Sequence, residues 1–284
     1  MSTGVAVAAA LLAAMSFGVG SVIQQEAAQQ APARESLRLR LVLDLGRRPA
    51  WLAGMILVVS SYALLGLALA HGPLVLVQPL AATDLVFALP LLAWRRRTGL
   101  TRREAAGIAC TAGGVALFLT ALPPAPGGAA VPAARDWLPV ILAIGGAVVL
   151  LAEAGRRSRA PRRTALYAIG AALLLALLDS LTKSTAGRFR TDGLGALAHW
   201  EPYAVVLVGL TGLVLAQSAY QAGSLAISLP LIDTLEPMTA VLIGVAVFGE
   251  QLASSPWALS VQALGAATAV AGIVLLDRSP LARP

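Results

Sequence analysis

Four carboxylates sit deep within stretches of this chain that are otherwise apolar: Asp84, Asp179, Asp233 and Glu236. A carboxylate in a hydrocarbon interior costs at least about 2.5–3.5 kcal/mol, so it is retained where it faces a wet cavity, a cation or a proton path. Asp84 and Asp233 stand about eight to ten residues inside their runs, roughly 12–15 Å deep at 1.5 Å per helical residue. Both are expected to line a central pathway and to exchange protons there; hydrogen bonding to Ser/Thr or backbone amides is the structural alternative. Glu236 lies one turn beyond Asp233 and precedes Pro237. Proline removes a backbone donor and clashes with the preceding turn, so a kink or break is expected here, leaving free carbonyls beside two acids. That set suits a cation or an amine. Gln78, next to Pro79, offers the counterpart earlier in the chain, and Pro230 adds a further break ahead of Asp233.

Asp179 and Lys183 are four residues apart on one helical face and can pair. Lys183 is the lone lysine among 21 basic residues. Lysine loses its charge under burial more readily than arginine, which suits a switchable gate. Snorkelling to the outer headgroups is the leading reading for Lys183, and Asp179, one turn deeper, is the better pathway residue. Gln24 and Gln25, and Gln217, Tyr220 and Gln221, supply neutral polar groups that either meet a substrate or bond neighbouring helices. Glu26 and Glu153 are expected at membrane edges. His71 and His199 fall at outer span ends, and their spacing argues no metal site. Cys110 is the single cysteine, so no intrachain disulfide can form and the residue reads as packing. Gly113-Gly114 and Gly145-Gly146 read as close helix contacts.

These residues need apolar helices to hold them, and the composition supplies little else: 58% of the chain is apolar and 12% charged. A crossing takes about 20 apolar residues. Nine stretches qualify: Val5–Gln25, Trp51–Ala70, Leu74–Trp94, Ala105–Leu122, Trp137–Ala154, Thr164–Gly187, Tyr203–Tyr220, Leu225–Phe248 and Trp257–Leu276. The first has no positive residue before it and ends on Gln24-Gln25-Glu26, which argues against a signal peptide. The net charge of +7 is distributed by side. Arg34, Arg38, Arg40, Arg47 and Arg48 follow span one; Arg95, Arg96, Arg97, Arg102 and Arg103 follow span three. Arg156, Arg157, Arg159, Arg162 and Arg163 follow span five, with Arg278 and Arg283 in the tail, whereas the alternate loops hold only Arg135, Arg188 and Arg190. This bias puts the N-terminus outside and the C-terminus in the cytoplasm of a multi-pass inner-membrane protein. The basicity orients helices and does not imply a nucleic-acid partner.

A short pattern occurs twice. Gly72-Pro73-Leu74-Val75-Leu76-Val77-Gln78-Pro79-Leu80, then Thr83-Asp84, matches Gly223-Ser224-Leu225-Ala226-Ile227-Ser228-Leu229-Pro230-Leu231, then Asp233-Thr234. The span after each copy carries equally spaced glycines, Gly107 and Gly114, then Gly265 and Gly272. The expected organisation is all-α: a four-helix module over 1–122, a connector with span five over 123–163, and a second four-helix module over 164–284. One lone crossing between them forces the modules to face opposite ways, as the arginines also require. Proline-broken repeats of this kind are the expected geometry of a secondary transporter's substrate site. The segment Pro32–Pro49 reads as an amphipathic stretch at the cytoplasmic headgroups, and Pro123–Pro132 as a flexible connector.

Gly18-Val19-Gly20-Ser21-Val22-Ile23-Gln24-Gln25, Leu76-Val77-Gln78-Pro79-Leu80, Ser180-Leu181-Thr182-Lys183, and Glu236-Pro237 through Gly249-Glu250 carry a family likeness. Over nearly its whole length the chain resembles the drug/metabolite transporter superfamily, in the nine-span branch with NIPA-type magnesium transporters and related permeases. Glu236-Pro237 to Gly249-Glu250 looks like the EamA-type glutamate-proline helix ending in a Gly-Glu turn. The first module departs from that pattern, with Thr98-Gly99 in place of Gly-Glu. The resemblance implies a permease working by alternating access on a small solute or a cation, with protons as an option for coupling. The NIPA branch implies magnesium, for which Asp84, Asp233 and Glu236 would serve; magnesium usually keeps several waters and needs only one or two carboxylates. Neither cofactor nor enzyme activity is expected: there is no Walker loop and no HExxH, and Gly18-Val19-Gly20 lacks the third glycine and strand context of a dinucleotide site. A non-transporting scaffold or assembly factor is the rival from another class. Oligomeric state and transport direction are left open by the sequence.

Overall fold

A computed structural model describes residues 3–29, 49–95, 97–123, 128–129, 131–222, 225–253 and 255–277. In these the chain is helical throughout: α1 (Thr3–Gln29), α2 (Pro49–His71), α3 (Leu74–Ala81), α4 (Asp84–Arg95), α5 (Arg102–Thr120), α6 (Ala134–Arg156), α7 (Ala160–Asp192), a 3-10 turn (Gly193–Ala198), α8 (Glu201–Ala222), α9 (Leu225–Phe248) and α10 (Pro256–Asp277). Counting α3 and α4 as one broken rod, these form nine rods among the described residues, one for each apolar stretch of the sequence. Seven are long and apolar enough to cross a membrane. Outward faces such as Leu138, Leu142 and Val149 of α6, and Val206, Leu210 and Leu213 of α8, are exposed and apolar. An apolar exterior over helices that satisfy their own backbone groups suits lipid, not water. The protein is a polytopic membrane protein.

The helices pack through small residues, because lipid supplies no hydrophobic drive for one helix to leave it for another. At Gly18 an added Cβ would stand 2.5 Å from the Asp84 carbonyl oxygen, and at Gly20 it would stand 2.9 Å from that of Gly54. These two glycines seat α1 against α4 and α2. The crossing of α5 and α10 is reciprocal. Gly114 faces the Gly265 carbonyl and Gly265 faces that of Gly114; Gly107 and Gly272 meet in the same way. The pairing runs the two helices antiparallel with their backbones touching. The glycines that look in the sequence like a repeat signature are therefore each other's contact. By contrast, Gly113, Gly145 and Gly146 have nothing within 4 Å, so the expectation of close packing holds for Gly114 and fails for these three.

Neighbour relations recur in the two halves. α1 packs on α2 and on the α3–α4 rod; α7 packs on α8 and on α9. α6 lies against α7 and also touches α9. The breaks do not recur. The first rod ends at Ala81, turns through Ala82-Thr83 and restarts at Asp84. Pro79 itself stays inside α3, and the chain gives way one turn later, where Ala82 N–H still reaches the Gln78 carbonyl at 3.1 Å. α9 continues unbroken through Pro230 and Pro237, so the expected pair of discontinuous helices is present once, not twice. The expected amphipathic segment over 32–49 lies, except for Pro49, outside the described residues.

Two described residues of the connector, Gly128 and Ala129, are more tightly held than its Pro/Gly/Ala composition suggests. Gly128 takes φ +106°, and a Cβ there would stand 2.9 Å from Glu250 Cγ. Ala129 N–H donates to the Phe248 carbonyl at 2.7 Å. These two residues lie directly over the turn that ends α9.

Candidate functional site

The site is built from two levels of α7, one turn apart. At the deeper level Asp179, 6% exposed, accepts a hydrogen bond at 2.8 Å from the side-chain amide of Gln78 on α3. Glu236 on α9 lies within electrostatic reach of both Asp179 and Asp84, whose charges act on it. Asp84 opens α4 just after the Ala82-Thr83 turn, where the backbone N–H groups of residues 84 and 85 face its carboxylate. Tyr62 of α2, 52% exposed, feels the charges of Glu236 and Asp179, and its ring lies edge-on to Phe17 at 6.5 Å between centroids. Three acids from three rods in both halves of the chain are thus electrostatic neighbours, Asp179 buried and Asp84 and Glu236 half-buried.

Like charges gathered in a low-dielectric interior repel unless something positive joins them. Asp233, first among the sequence candidates along with Asp84, is half-buried and takes part in an interaction. Glu236, three positions further along α9, lies in electrostatic reach of Asp84. Among the described residues no group of three His, Cys, Asp or Glu side chains is arranged to hold a metal ion. Nearby helices also carry buried hydroxyls without a hydrogen-bond partner among the described residues, including Ser184 and Thr185 on α7 and Ser228 and Thr234 on α9.

At the second level Lys183 pairs with Glu250, their side chains 8% and 0% exposed. This overturns the snorkelling expectation, and it also separates Lys183 from Asp179, since each finds another partner across the bundle. Desolvation explains the choice: a buried ammonium is tolerated when a carboxylate lies against it. The Phe248 ring adds a cation–π contact, with Nζ 4.2 Å from its centroid. Trp137 packs edge-on to both Phe248 and Trp200, at 5.7 and 5.9 Å between centroids, and completes an aromatic wall behind the lysine.

Glu250 does more than neutralise Lys183. Its Oε1 accepts the Leu74 N–H at 2.8 Å and its Oε2 the Val75 N–H at 2.9 Å. The first N–H groups of a helix have no partner within it, and α3 begins abruptly after Gly72-Pro73. Leu76 and Val77 return their N–H groups to the Pro73 carbonyl, so Glu250 satisfies the remaining two orphans of that turn. Two local features deliver the carboxylate. Gly249, at φ +68°, turns the chain out of α9, and Gly244 leaves the space where a Cβ would stand 2.5 Å from Glu250 Oε2. Glu250 was legible in the sequence as the acid of a Gly-Glu turn. Its cap on a helix far away in the sequence was not.

Above this pair a cavity of about 190 Å³ opens at the arginine-poor end of the bundle, lined among others by His71, Pro73, Gly128, Lys183 and Arg190. Arg190 donates to the Ala70 carbonyl, and His71 Nδ1 lies 2.9 Å from that of Leu67. His199 stands apart, against Asp192 at 3.4 Å. Glu153 pairs with Arg156 and Arg157 at an exposed helix end, as its edge position implied. The side chains of Gln24, Gln25, Glu26, Gln217, Tyr220, Gln221 and Pro230 lie outside the described residues, so their expected roles have no structural counterpart here.

A Corynebacterium glutamicum protein described as "Uncharacterized protein Cgl0250/cg0304" is 29% identical over 278 residues, covering 96% of this chain and 95% of its own. No family model matches the sequence, and no solved structure matches it. The similarity spans nearly the full length of both chains.

Proposed function

We propose that the protein is a secondary transporter of the drug/metabolite type, with Asp84, Asp179 and Glu236 forming the binding site for a small cationic solute or a proton. The observation that carries this reading is their convergence from α4, α7 and α9. Three acids at membrane depth, with the charges of Asp179 and Asp84 acting on Glu236, are expensive as scaffolding. A cation arriving among them removes the repulsion, and its departure restores it, which is the differential interaction that alternating access requires. Gln78 adds a donor on Asp179.

Two inverted modules, nine crossings and an inner-membrane location with the N-terminus outside complete the proposal. The antiparallel, reciprocal crossing of α5 and α10 supports it: corresponding helices of oppositely facing modules meet in that way about a shared axis. The matching neighbours of α1 and α7 support it as well. A bare magnesium ion has no three-ligand set among the described residues, so an organic or hydrated cation fits better than a directly ligated one.

The test is purified protein in liposomes, with an internal pH dye and magnesium or organic amines supplied in parallel. Cation-dependent flux that Glu236→Gln abolishes, in a protein still inserted, is the expected result. Undiminished flux in Glu236→Gln and in Asp179→Asn would remove these acids from the mechanism.

A further inference from the structure

We propose that Glu250, Lys183 and the first turn of α3 form a latch that closes the solute path at the arginine-poor end of the bundle. The proposal rests on the transport reading and adds to it the position and parts of a gate. Lys183 forms part of the wall of the 190 Å³ cavity. Asp179, about 6 Å further along α7 at 1.5 Å per residue, is buried beneath it. Lys183, held by Glu250, thus stands between the cavity and the level of Asp179.

The same carboxylate that holds Lys183 also holds α3. This is a helix of only eight residues, set off by Gly72-Pro73 at one end and the Ala82-Thr83 turn at the other. It is tied to α7 by two rungs. The upper runs from Leu74 and Val75 through Glu250 to Lys183; the lower is Gln78 to Asp179. A solute that draws Asp179 away from Gln78 loosens the lower rung and leaves Glu250 as the remaining polar tie of α3 to α7 among those named here. Breaking the upper rung frees the half-helix to swing and joins the vestibule to the acids. Occupancy below is thereby linked to closure above through one short element. Gly128 and Ala129 of the connector lie over the Glu250 turn and Gly244 lies beneath it, so both sides of the latch are backbone surfaces that fix where the carboxylate sits.

The test reads accessibility and needs no solute. Cys110 is replaced by alanine, and single cysteines are placed at Ala129, over the vestibule, and at Thr83, in the turn beside Asp84. A membrane-impermeant maleimide is applied to intact cells and to inside-out vesicles. The Ala129 reporter reacts from one face only and identifies the vestibule side. From that side the Thr83 reporter is expected to be shielded in the otherwise unaltered protein. Glu250→Gln and, independently, Lys183→Met should each raise its labelling rate by about tenfold, as loss of the closed state's bias predicts, with the Ala129 rate unchanged. Lys183→Arg should keep it shielded. If Glu250→Gln does not insert, Lys183→Met decides alone, since it leaves the α3 cap in place. Unchanged Thr83 labelling in the inserted variants overturns the latch, as does free labelling in the unaltered protein. Because no flux is measured, that result leaves the transport reading standing. Raised labelling in a protein that moves no tested cation keeps the latch and counts against transport.

Discussion

Two carboxylate regions lie a helical turn apart in this bundle and are treated in opposite ways. Glu250 has its charge met by Lys183, two helix N–H groups and a close-packed backbone turn. The charges of Asp84 and Asp179 act on Glu236 instead, with a neutral amide on Asp179. Asp179 is as buried as Lys183, so burial alone does not separate structure from function. The partners do. A carboxylate satisfied on both oxygens stabilises a fold by fixing what it touches, whereas acids set near one another are what the proposed cation site would use.

The comparison can be broken first at Glu250. Glu250→Ala leaves a buried lysine and two orphan amides, and should cost about 3–5 kcal/mol of stability, read as a lowered unfolding midpoint in detergent. A loss below about 1 kcal/mol, the range of an exposed pair, would show that the pair is not buried in the working protein. Next comes the frame that both regions share. Gly114→Ala drives a Cβ into the Ala269 backbone and should cost about 1–3 kcal/mol by overpacking. Gly113→Ala, facing nothing within 4 Å, should change stability by less than about 0.5 kcal/mol. Equal effects at the two positions would deny the α5–α10 crossing. The smallest stability effect is expected among the acids. Glu236→Gln should leave the protein as stable or more stable by up to about 1 kcal/mol, the scale of one buried hydrogen bond, while flux is lost. A marked loss of stability there would make Glu236 a structural residue like Glu250, and the contrast between the regions would vanish.

The legible part of this protein follows from what lipid demands. Helices in a bilayer must be apolar for about 20 residues, and the nine stretches read from the sequence all coincide with helical rods. Intramembrane acids are rare enough to stand out, so Asp84, Asp179 and Glu236 were visible as candidates before any coordinates. Ranking them was another matter. Asp233 and Glu236 share a helix and a composition, and only the rotation of α9 about its axis decides what each acid meets. Lys183 shows the same limit. Its helical partner Asp179 is a local candidate that any spacing rule offers, yet the partner it takes is 67 residues away on a loop.

By itself, then, the sequence determined that the chain is a bundle of apolar helices, where acids are buried within it, and which glycines could bring backbones together. Those properties depend on residue type and helical period, which are local. The tertiary structure decided that Pro79 accompanies a break while Pro230 and Pro237 do not, that Gly107 and Gly114 meet Gly272 and Gly265, and that Glu250 caps α3. Each of these turns on which helices become neighbours and at what rotation. A hydrogen bond or ion pair forms only when both groups arrive within a few ångströms, and no local pattern fixes that meeting.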